Sequence, residues 1–118
     1  MTQSAGDCIF CKIVQKEIQA DIVFEDDLVL AFKDINPAAP VHLLLIPKKH
    51  VPNLFALEDR DEAIMGRLQQ AAVQIARDLK LEERGFRLVC NCGKDAGQLV
   101  AHIHYHLLAG RPLKWPPG

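Results

Sequence analysis

The chain has 118 residues, of which 49% are hydrophobic and 25% charged, and its formal net charge is -1. This length is typical of one domain with its own hydrophobic core, and the composition is that of an ordinary globular protein. A net charge so close to zero excludes the strongly basic surface that long nucleic acids or anionic membranes attract. It favours a small ligand.

The first residues lack the basic and apolar regions of a signal peptide, and no apolar run reaches the length of a membrane span. We therefore expect a cytoplasmic protein. In that context the four cysteines are expected to be reduced thiols or metal ligands, not a disulfide framework. We also expect a single domain over residues 1–118, with 1–7 flexible and 111–118 forming a C-terminal tail.

The first half of the chain predicts one short helix and three strands. Apolar residues at helical spacing favour a helix over residues 8–14. Two apolar runs, at 22–25 and 28–32, flank an Asp-Asp turn and predict a β-hairpin. A proline loop at 36–40 then leads to a buried strand at 42–46.

The second half predicts one long helix and two strands. Residues 59–80 carry an apolar stripe at helical spacing, and Asp59 with Glu62 resembles a capping box. The stripe consists of Ile64, Leu68, Ala72, Ile75 and Leu79. Strands are predicted at 86–91 and 101–108. Because the strands occur in runs, the predicted fold class is α+β, with an antiparallel sheet and the helices packed on one side.

Three histidines alternate along the last predicted strand. Successive side chains of a strand point to opposite faces, so His102, His104 and His106 would line one face. A row of imidazoles on a buried strand is costly unless a ligand or a reaction uses it. Imidazole can be a nucleophile, an acid, a base or a metal ligand near neutral pH. Both catalysis and metal binding are therefore open.

Several segments resemble the nucleotide-binding, HINT-type branch of the histidine triad family. The similar segments are His-x-His-x-His-x-x at 102–108, Gly-Gln at 97–98, Phe-Lys-Asp-Ile-Asn at 32–36, Ile-Pro-Lys-Lys-His at 46–50 and Trp-Pro-Pro-Gly at 115–118. The resemblance covers residues 8–118. It implies a HIT-like fold with a five-stranded antiparallel sheet, one short and one long helix, and a homodimer paired across a two-fold axis.

The resemblance also implies transfer of a nucleotidyl group from an α-phosphate to the middle histidine, His104, followed by release with water. His106 and His102 would be its polar partners, and His106 would donate to a phosphate oxygen or to the bridging atom. Gln98 and the N–H groups of residues 97–99 would hold the other phosphate oxygens, since glycine lets the backbone approach a phosphate closely.

Further site positions follow from the same resemblance. His42 would brace the triad by hydrogen bonding, or it is an ordinary histidine at a strand end. Asp34 would accept both ribose hydroxyls, or it is a solvated loop charge. Trp115 would reach the partner subunit's site, or it packs on the surface. The remaining substrate positions are the apolar slot for the base and the phosphate loop: Ile9, Phe10, Ile13, Phe32, Ile35, Leu44, Asn91, Gly97 and Leu99.

Cys8 and Cys11 have the spacing of half a zinc site, or they form a small apolar face of the helix. Members of the branch with this pair resemble zinc binders in which His50 and His102 complete a Cys2His2 set. Four protein ligands leave no open position, so the zinc would be structural and would occupy His102. No cofactor is expected to take part in catalysis.

A full triad favours hydrolysis, because the transferase branches of the superfamily carry glutamine in place of the third histidine. The predicted reaction is cleavage of purine nucleoside phosphoramidates or acyl-adenylates, with an AMP-like ligand. The alternatives are a non-catalytic nucleotide-binding scaffold, a dinucleoside polyphosphate hydrolase and a metal-handling protein. Ala96, Leu99 and Ala101 depart from the family pattern, and Leu99 has no hydroxyl to offer a phosphate.

Overall fold

A five-stranded antiparallel sheet organises residues 5–118, the part of the chain described by the structure, which is a computed structural model. The strands are β1 (Ile22–Glu25), β2 (Val29–Lys33), β3 (Val41–Pro47), β4 (Arg87–Val89) and β5 (Tyr105–Ala109), in the spatial order β1-β2-β3-β5-β4. The two α-helices are α1 (Ile9–Val14) and α2 (Glu62–Asp78). This architecture confirms the predicted α+β class, with five strands, one short helix and one long helix.

The two helices pack on opposite faces of the sheet, so the prediction that both lie on one side is wrong. Side chains alternate along a strand, and in β2 Leu30 and Phe32 pack with α1 whereas Val29 and Ala31 pack with α2. The apolar runs of β2 and β3 are continuous rather than alternating, which is typical of strands covered on both sides. The sheet therefore separates an apolar core under α2 from a layer under α1 that contains two cysteines as well as apolar side chains.

Both ends of α2 differ from the prediction. The helix begins at Glu62 after a 3₁₀ turn over Asp59–Asp61, and the capping box joins Glu58 and Asp61, one residue earlier than expected. At the other end Leu79 is 47% exposed, because the helix has already ended there. The buried face consists of Leu68, Ala71, Ala72, Ile75 and Ala76.

The histidine segment enters the sheet later than predicted. β5 begins at Tyr105, so only His106 of the three histidines lies in a strand. The His102 N–H bonds to the Val100 carbonyl, and the Ile103 N–H bonds to Val51, far along the chain. These bonds draw the backbone away from the ladder, and β4 is too short to offer it a partner. The prediction of one strand over 101–108 is therefore wrong in its first half.

The two ends of the chain bear on the remaining expectations. Residues 1–4 of the segment predicted to be flexible lie outside the described residues, and Ala5–Asp7 forms a 3₁₀ turn. Residues 111–118 form neither helix nor strand. Among residues 5–118 there is no helix with the length and apolar character that crossing a bilayer requires.

Candidate active site and metal centre

His104 lies just before β5 with only 6% of its surface exposed. Its Nδ1 is 2.8 Å from the carbonyl oxygen of His102, and because a carbonyl only accepts, Nδ1 carries the proton. The lone pair of the neutral ring is then on Nε2, which has no partner among residues 5–118. Burial lowers the pKa of His104 and keeps the ring neutral at pH 7. A free, neutral imidazole nitrogen is a good nucleophile for phosphorus.

His42 and His106 form a hydrogen-bonded pair next to His104. The Ala38 N–H donates to Nδ1 of His42 at 2.9 Å, so the proton of neutral His42 is on Nε2. That Nε2 lies 2.9 Å from Nδ1 of His106 and donates to it. Neutral His106 therefore carries its own proton on Nε2, and burial lowers its pKa. The rings of His104 and His106 are 5.1 Å apart, which places an N–H donor beside the nucleophile.

Asp34 follows β2 and lies against this pair. Its Oδ2 is 3.4 Å from Nε2 of His42, and its Oδ1 accepts from the Asn36 N–H. Asp34, His42 and His106 are close enough to surround a metal ion. A metal ligand needs a lone pair, however, and the bond from Ala38 leaves Nε2 of His42 protonated. The three groups are therefore arranged as a hydrogen-bonded set that leaves a half-buried carboxylate next to the histidines.

Four of the predicted apolar positions, Phe10, Ile13, Phe32 and Leu44, pack together in one buried cluster, and Phe10 joins that cluster to His104. Phe10 of α1 packs edge-on against His104, with ring centres 5.1 Å apart, and against Phe32 of β2 at 5.8 Å. Ile13 and Leu44 belong to the same buried cluster. This arrangement covers one side of the His104 ring with apolar side chains.

Five other predicted positions lie outside that cluster. Ile9, Ile35, Leu99 and Trp115 have 45%, 92%, 93% and 81% of their surface exposed, and Asn91 is half-buried just after β4. The described residues do not gather these side chains into one site. Their predicted contacts with substrate stay predictions.

Gln98 shapes the loop that leads to the histidine segment. Its Oε1 accepts from the Gly93 N–H at 3.0 Å, and its Nε2 donates to the carbonyls of Pro52 and Val100 at 2.7 and 2.9 Å. Every hydrogen of the carboxamide is thus bound within the protein. The amide fixes the backbone next to the site, and it offers no free N–H to a phosphate in this conformation.

Among the backbone amides of residues 97–99, which are the ones predicted to bind phosphate, one donor is free. Gly97 has a φ of +81°, which favours glycine, and its N–H donates to Lys94. The Gln98 N–H also donates within the loop. The Leu99 N–H has no partner in the part of the chain that the structure describes. Of the predicted phosphate-binding amides, Leu99 is therefore the one that remains available.

Cys8, Cys11, His50 and His102 form a second constellation at the beginning of α1, and their ligand atoms all lie within 4.8 Å of one another. Nδ1 of His102 is 3.3 Å from Sγ of Cys8 and 3.6 Å from Sγ of Cys11, and Nδ1 of His50 is 3.2 Å from Sγ of Cys11. Tetrahedral zinc with ordinary bond lengths separates sulfur from nitrogen by about 3.5 Å. The four side chains thus fit a closed Cys2His2 site.

The chemistry of this set also fits a cation. His102 is fully buried, and its Nε2–H donates to the Pro47 carbonyl at 2.8 Å, which leaves Nδ1 as the lone pair facing the thiols. Burial lowers the pKa of His102 to about 4, so the ring is neutral, as a ligand must be. Burial and the Cys8 thiol raise the pKa of Cys11 to about 12, so a thiolate there needs a positive charge beside it.

The structure thus separates the three histidines. One ring nitrogen of His102 faces the Cys/His cluster and the other donates to the Pro47 carbonyl, so neither nitrogen is available beside His104. Its main-chain carbonyl does act there, through Nδ1 of His104. Among residues 5–118 no potential metal cluster contains all three histidines, which weighs against a triad that itself binds a metal.

Two contributors were missed by sequence reasoning, namely the Ala38 N–H and the Pro47 carbonyl. Both are main-chain groups, and nothing in the residue types signals their role. An apolar groove of about 410 Å³ lies between the end of α2 and strands β1–β3. Its lining includes Asp34 and His42 together with Leu43 and Ile75, but neither His104 nor His106.

A neutral histidine with a free Nε2, a second histidine whose Nε2–H lies beside it and a third that is turned toward a Cys/His cluster are the arrangement of a histidine triad. The HIT domain family model matches residues 15–113, and the chain belongs to this family.

Three relatives match nearly the full chain. An uncharacterized HIT-like protein of Synechocystis is 55% identical over 97% of this chain and 99% of its own. The 14 kDa zinc-binding protein of Brassica juncea is 51% identical over 95% and 100%, and the adenylylsulfatase HINT1 of Arabidopsis thaliana is 50% identical over 99% and 80%.

Two solved structures are similar in fold and sequence. A HIT family hydrolase of Legionella pneumophila has a TM-score of 0.93 and 49% identity, with 95% of this chain and 100% of that chain covered. A histidine triad nucleotide-binding protein of Candida albicans has a TM-score of 0.80 and 32% identity, with 93% and 83% covered.

Proposed function

We propose that this protein is a cytoplasmic hydrolase that cleaves purine nucleoside phosphoramidates or acyl-adenylates to a nucleoside monophosphate. The observation that carries this proposal is the Nε2 lone pair of His104, which is left free because Nδ1 donates to the His102 carbonyl. A hydrolase and an adenylylsulfatase among the similar proteins support hydrolysis at an adenylyl phosphorus.

In the proposed mechanism, Nε2 of His104 attacks the α-phosphorus. A phosphorus–nitrogen bond forms as the bond from phosphorus to the leaving atom breaks, and Nε2–H of His106 donates to that atom. A carboxylate leaves as the anion, whereas an amine takes its proton from solvent, and neutral His106 keeps its own proton in the hydrogen bond to the leaving atom. Water then attacks the phosphorus and loses a proton to solvent as the phosphorus–nitrogen bond breaks, which releases neutral His104 and the nucleoside monophosphate.

Substrate binding follows from the surrounding groups. The slot formed by Phe10, Ile13, Phe32 and Leu44 takes the base, and Asp34 accepts the ribose hydroxyls. The free Leu99 N–H binds a phosphate oxygen, and Gln98 holds the loop that presents it. His42 keeps His106 in the donating tautomer. Asn91 and Trp115 complete the contacts to phosphate and leaving group.

We further propose that Cys8, Cys11, His50 and His102 hold a structural zinc ion. Their spacing fits tetrahedral coordination, and a zinc-binding relative supports the choice of metal. The metal would fix the segment whose His102 carbonyl orients His104, and it supplies no reactive position because all four ligands come from the protein.

A homodimer is the assembly that we propose. β4 is an edge strand of the sheet. Phe86, which precedes β4, is 36% exposed, and Val73 of α2 is 40% exposed. Both line a cavity of about 340 Å³. Unpaired strand edges and exposed apolar groups of this kind are suited to a two-fold contact. Analytical ultracentrifugation of the whole chain would reveal twice the mass of 13.2 kDa, and a monomer at micromolar concentration would contradict the proposal.

The testing experiment compares hydrolysis of an adenosine phosphoramidate by the wild type and by His104→Ala, with AMP binding measured on both. We expect the variant to lose at least about a thousandfold in kcat and to keep AMP affinity, since the nucleophile acts only in the chemical step. Mass spectrometry of rapidly quenched wild type, prepared without acid, should detect a nucleotidyl adduct on His104.

The other outcomes identify the alternatives. A folded, AMP-binding wild type with no turnover of phosphoramidate, acyl-adenylate or dinucleoside polyphosphate would contradict hydrolysis and indicate a nucleotide-binding scaffold. Preference for a dinucleoside polyphosphate by a large factor in kcat/KM would indicate that hydrolase class instead.

A further inference from the structure

Ala38 connects the catalytic pair to the surface of the protein. Its N–H donates to Nδ1 of His42 at 2.9 Å, and its carbonyl accepts from Nη2 of Arg111 at 3.0 Å. Arg111 lies just after β5 and is exposed, and its side chain donates to the carbonyls of Ala38 and Pro112. The two bonds of one residue therefore link a surface guanidinium to a buried histidine.

The loop that carries Ala38 depends on this corner for its position. Residues 34–40 form no helix or strand, and Pro37 and Pro40 have no N–H with which to bond. Gly110 packs directly against Pro40, since a Cβ on Gly110 would lie 2.8 Å from Cβ of Pro40. Gly110 also has a φ of +96°, which favours glycine. The corner after β5 thus holds the loop by one packing contact and by one charged hydrogen bond.

The position of Ala38 decides a proton position inside the site. A neutral imidazole protonates either nitrogen, and the Ala38 N–H excludes the form of His42 with a proton on Nδ1. With that form excluded, His42 donates to His106 and His106 presents Nε2–H. If the loop moves away, both tautomers of His42 become accessible. In the tautomer with the proton on Nδ1, His42 no longer donates to His106, and His106 no longer presents Nε2–H to the site.

We propose that Arg111 is a positioning residue, which acts through Ala38 and His42 to hold His106 in its donating tautomer. This inference rests on the proposed hydrolase function for its effect on rate. The effect on the tautomer of His42 does not depend on any activity, so the two can fail separately.

The chain provides a matched control in Arg84. Its Nη2 donates to the carbonyl of Gly110 at 3.2 Å, so it is also an exposed arginine bonded to the main chain of the same corner. It makes no bond to Ala38. Arg84→Ala therefore removes the same kind of charge and the same kind of bond without touching the connection to His42.

The experiment measures kcat and KM for Arg111→Ala, Arg84→Ala, His42→Ala and the double variant Arg111→Ala/His42→Ala, together with ¹⁵N imidazole spectra of the first two. We expect Arg111→Ala to lower kcat about tenfold with KM nearly unchanged, a fraction of what a hydrogen-bonding catalytic group contributes. Its spectra should show mixed tautomers at His42. Arg84→Ala should match the wild type, and Arg111→Ala should have no further effect when His42 is absent.

Three results would overturn the inference: wild-type imidazole spectra in Arg111→Ala, an equal loss of kcat in Arg84→Ala, or a full tenfold effect of Arg111→Ala in the His42→Ala background. If the wild type has no turnover at all, the proposed function fails, and the imidazole spectra still decide whether Arg111 fixes His42.

Discussion

The two ends of the histidine segment use the same side chain for opposite purposes. At the first end, Nε2–H of His102 donates to the Pro47 carbonyl, so Nδ1 faces two thiols. Two residues later Nδ1–H of His104 donates to a carbonyl, so Nε2 is free for chemistry. The side chain is identical and the burial is similar. The nitrogen that is occupied by the main chain determines whether a histidine suits a metal or a substrate.

The largest expected effect is that of removing the proposed metal, which should act on the first end of the histidine segment through the folding stability. Cys11→Ser is expected to lose zinc and to lower Tm by more than about 10 °C, since a structural zinc site contributes several kcal/mol to folding. Cys90→Ser, at a cysteine outside the cluster, should retain both. Metal analysis and thermal unfolding of the purified proteins test this, and an unchanged Tm in zinc-free Cys11→Ser would contradict a structural metal.

Acidification should affect both ends of the histidine segment. The first end is tested by folding stability and the second by kcat. Burial lowers the pKa of His102 from 6.5 to about 4, which in metal-free protein corresponds to about 3 kcal/mol of folding free energy. Because the unfolded chain binds the proton and the folded one resists it, this stability is present at neutral pH and is lost between about pH 6.5 and 4. Urea unfolding of chelated protein at several pH values measures it.

At the end proposed for catalysis, the same direction of pKa shift predicts a pH profile of kcat. Burial lowers the pKa values of His104 and His106, so both rings stay neutral below the ordinary histidine value. We expect kcat of the zinc-loaded enzyme to be flat from pH 8 to about 6.5 and to fall only below that value. A kcat that instead falls as the pH rises through about 7 would show that a protonated ring is required and would contradict the neutral tautomers.

The smallest expected effect concerns Leu99. Its N–H is free and its side chain is 93% exposed, so Leu99→Ser can add a hydroxyl beside the proposed phosphate position without disturbing the core. One added hydrogen bond should lower the Kd for AMP by about two- to tenfold. Leu99→Ala is the control for loss of the apolar side chain, and calorimetry distinguishes the two. Equal affinities would place the phosphate away from residue 99.

Much of the fold was predictable from local pattern. The hairpin of β1 and β2, the strand β3 and the long helix follow from apolar periodicity and turn residues, and their ends differ from the prediction by at most three positions. The continuous apolar run of β2 indicates burial on both faces, but it does not indicate which helix covers which face. That assignment depends on contacts between residues far apart in the chain, which place α1 and α2 on opposite sides of the sheet.

The histidine segment shows where the local pattern ended. Alternation correctly grouped His104 and His106, but it could not show that the Ile103 N–H bonds to Val51 and takes residues 102–104 out of the ladder. Nor could residue types reveal which ring nitrogen carries each proton. Those protons are set by main-chain partners that are up to 55 residues away along the chain, as for His102 and Pro47.

The main-chain partners of these rings have a consequence for how the site tolerates change. The groups that orient His102, His104 and His42 are a carbonyl of Pro47, a carbonyl of His102 and an N–H of Ala38. A carbonyl survives any replacement of its side chain, and the Ala38 N–H is lost only to proline. Mutational drift at these positions can therefore leave proton placement intact. The path of the backbone therefore determines the orientation of the rings. The residue types at positions 38 and 47 can vary as long as that path is kept.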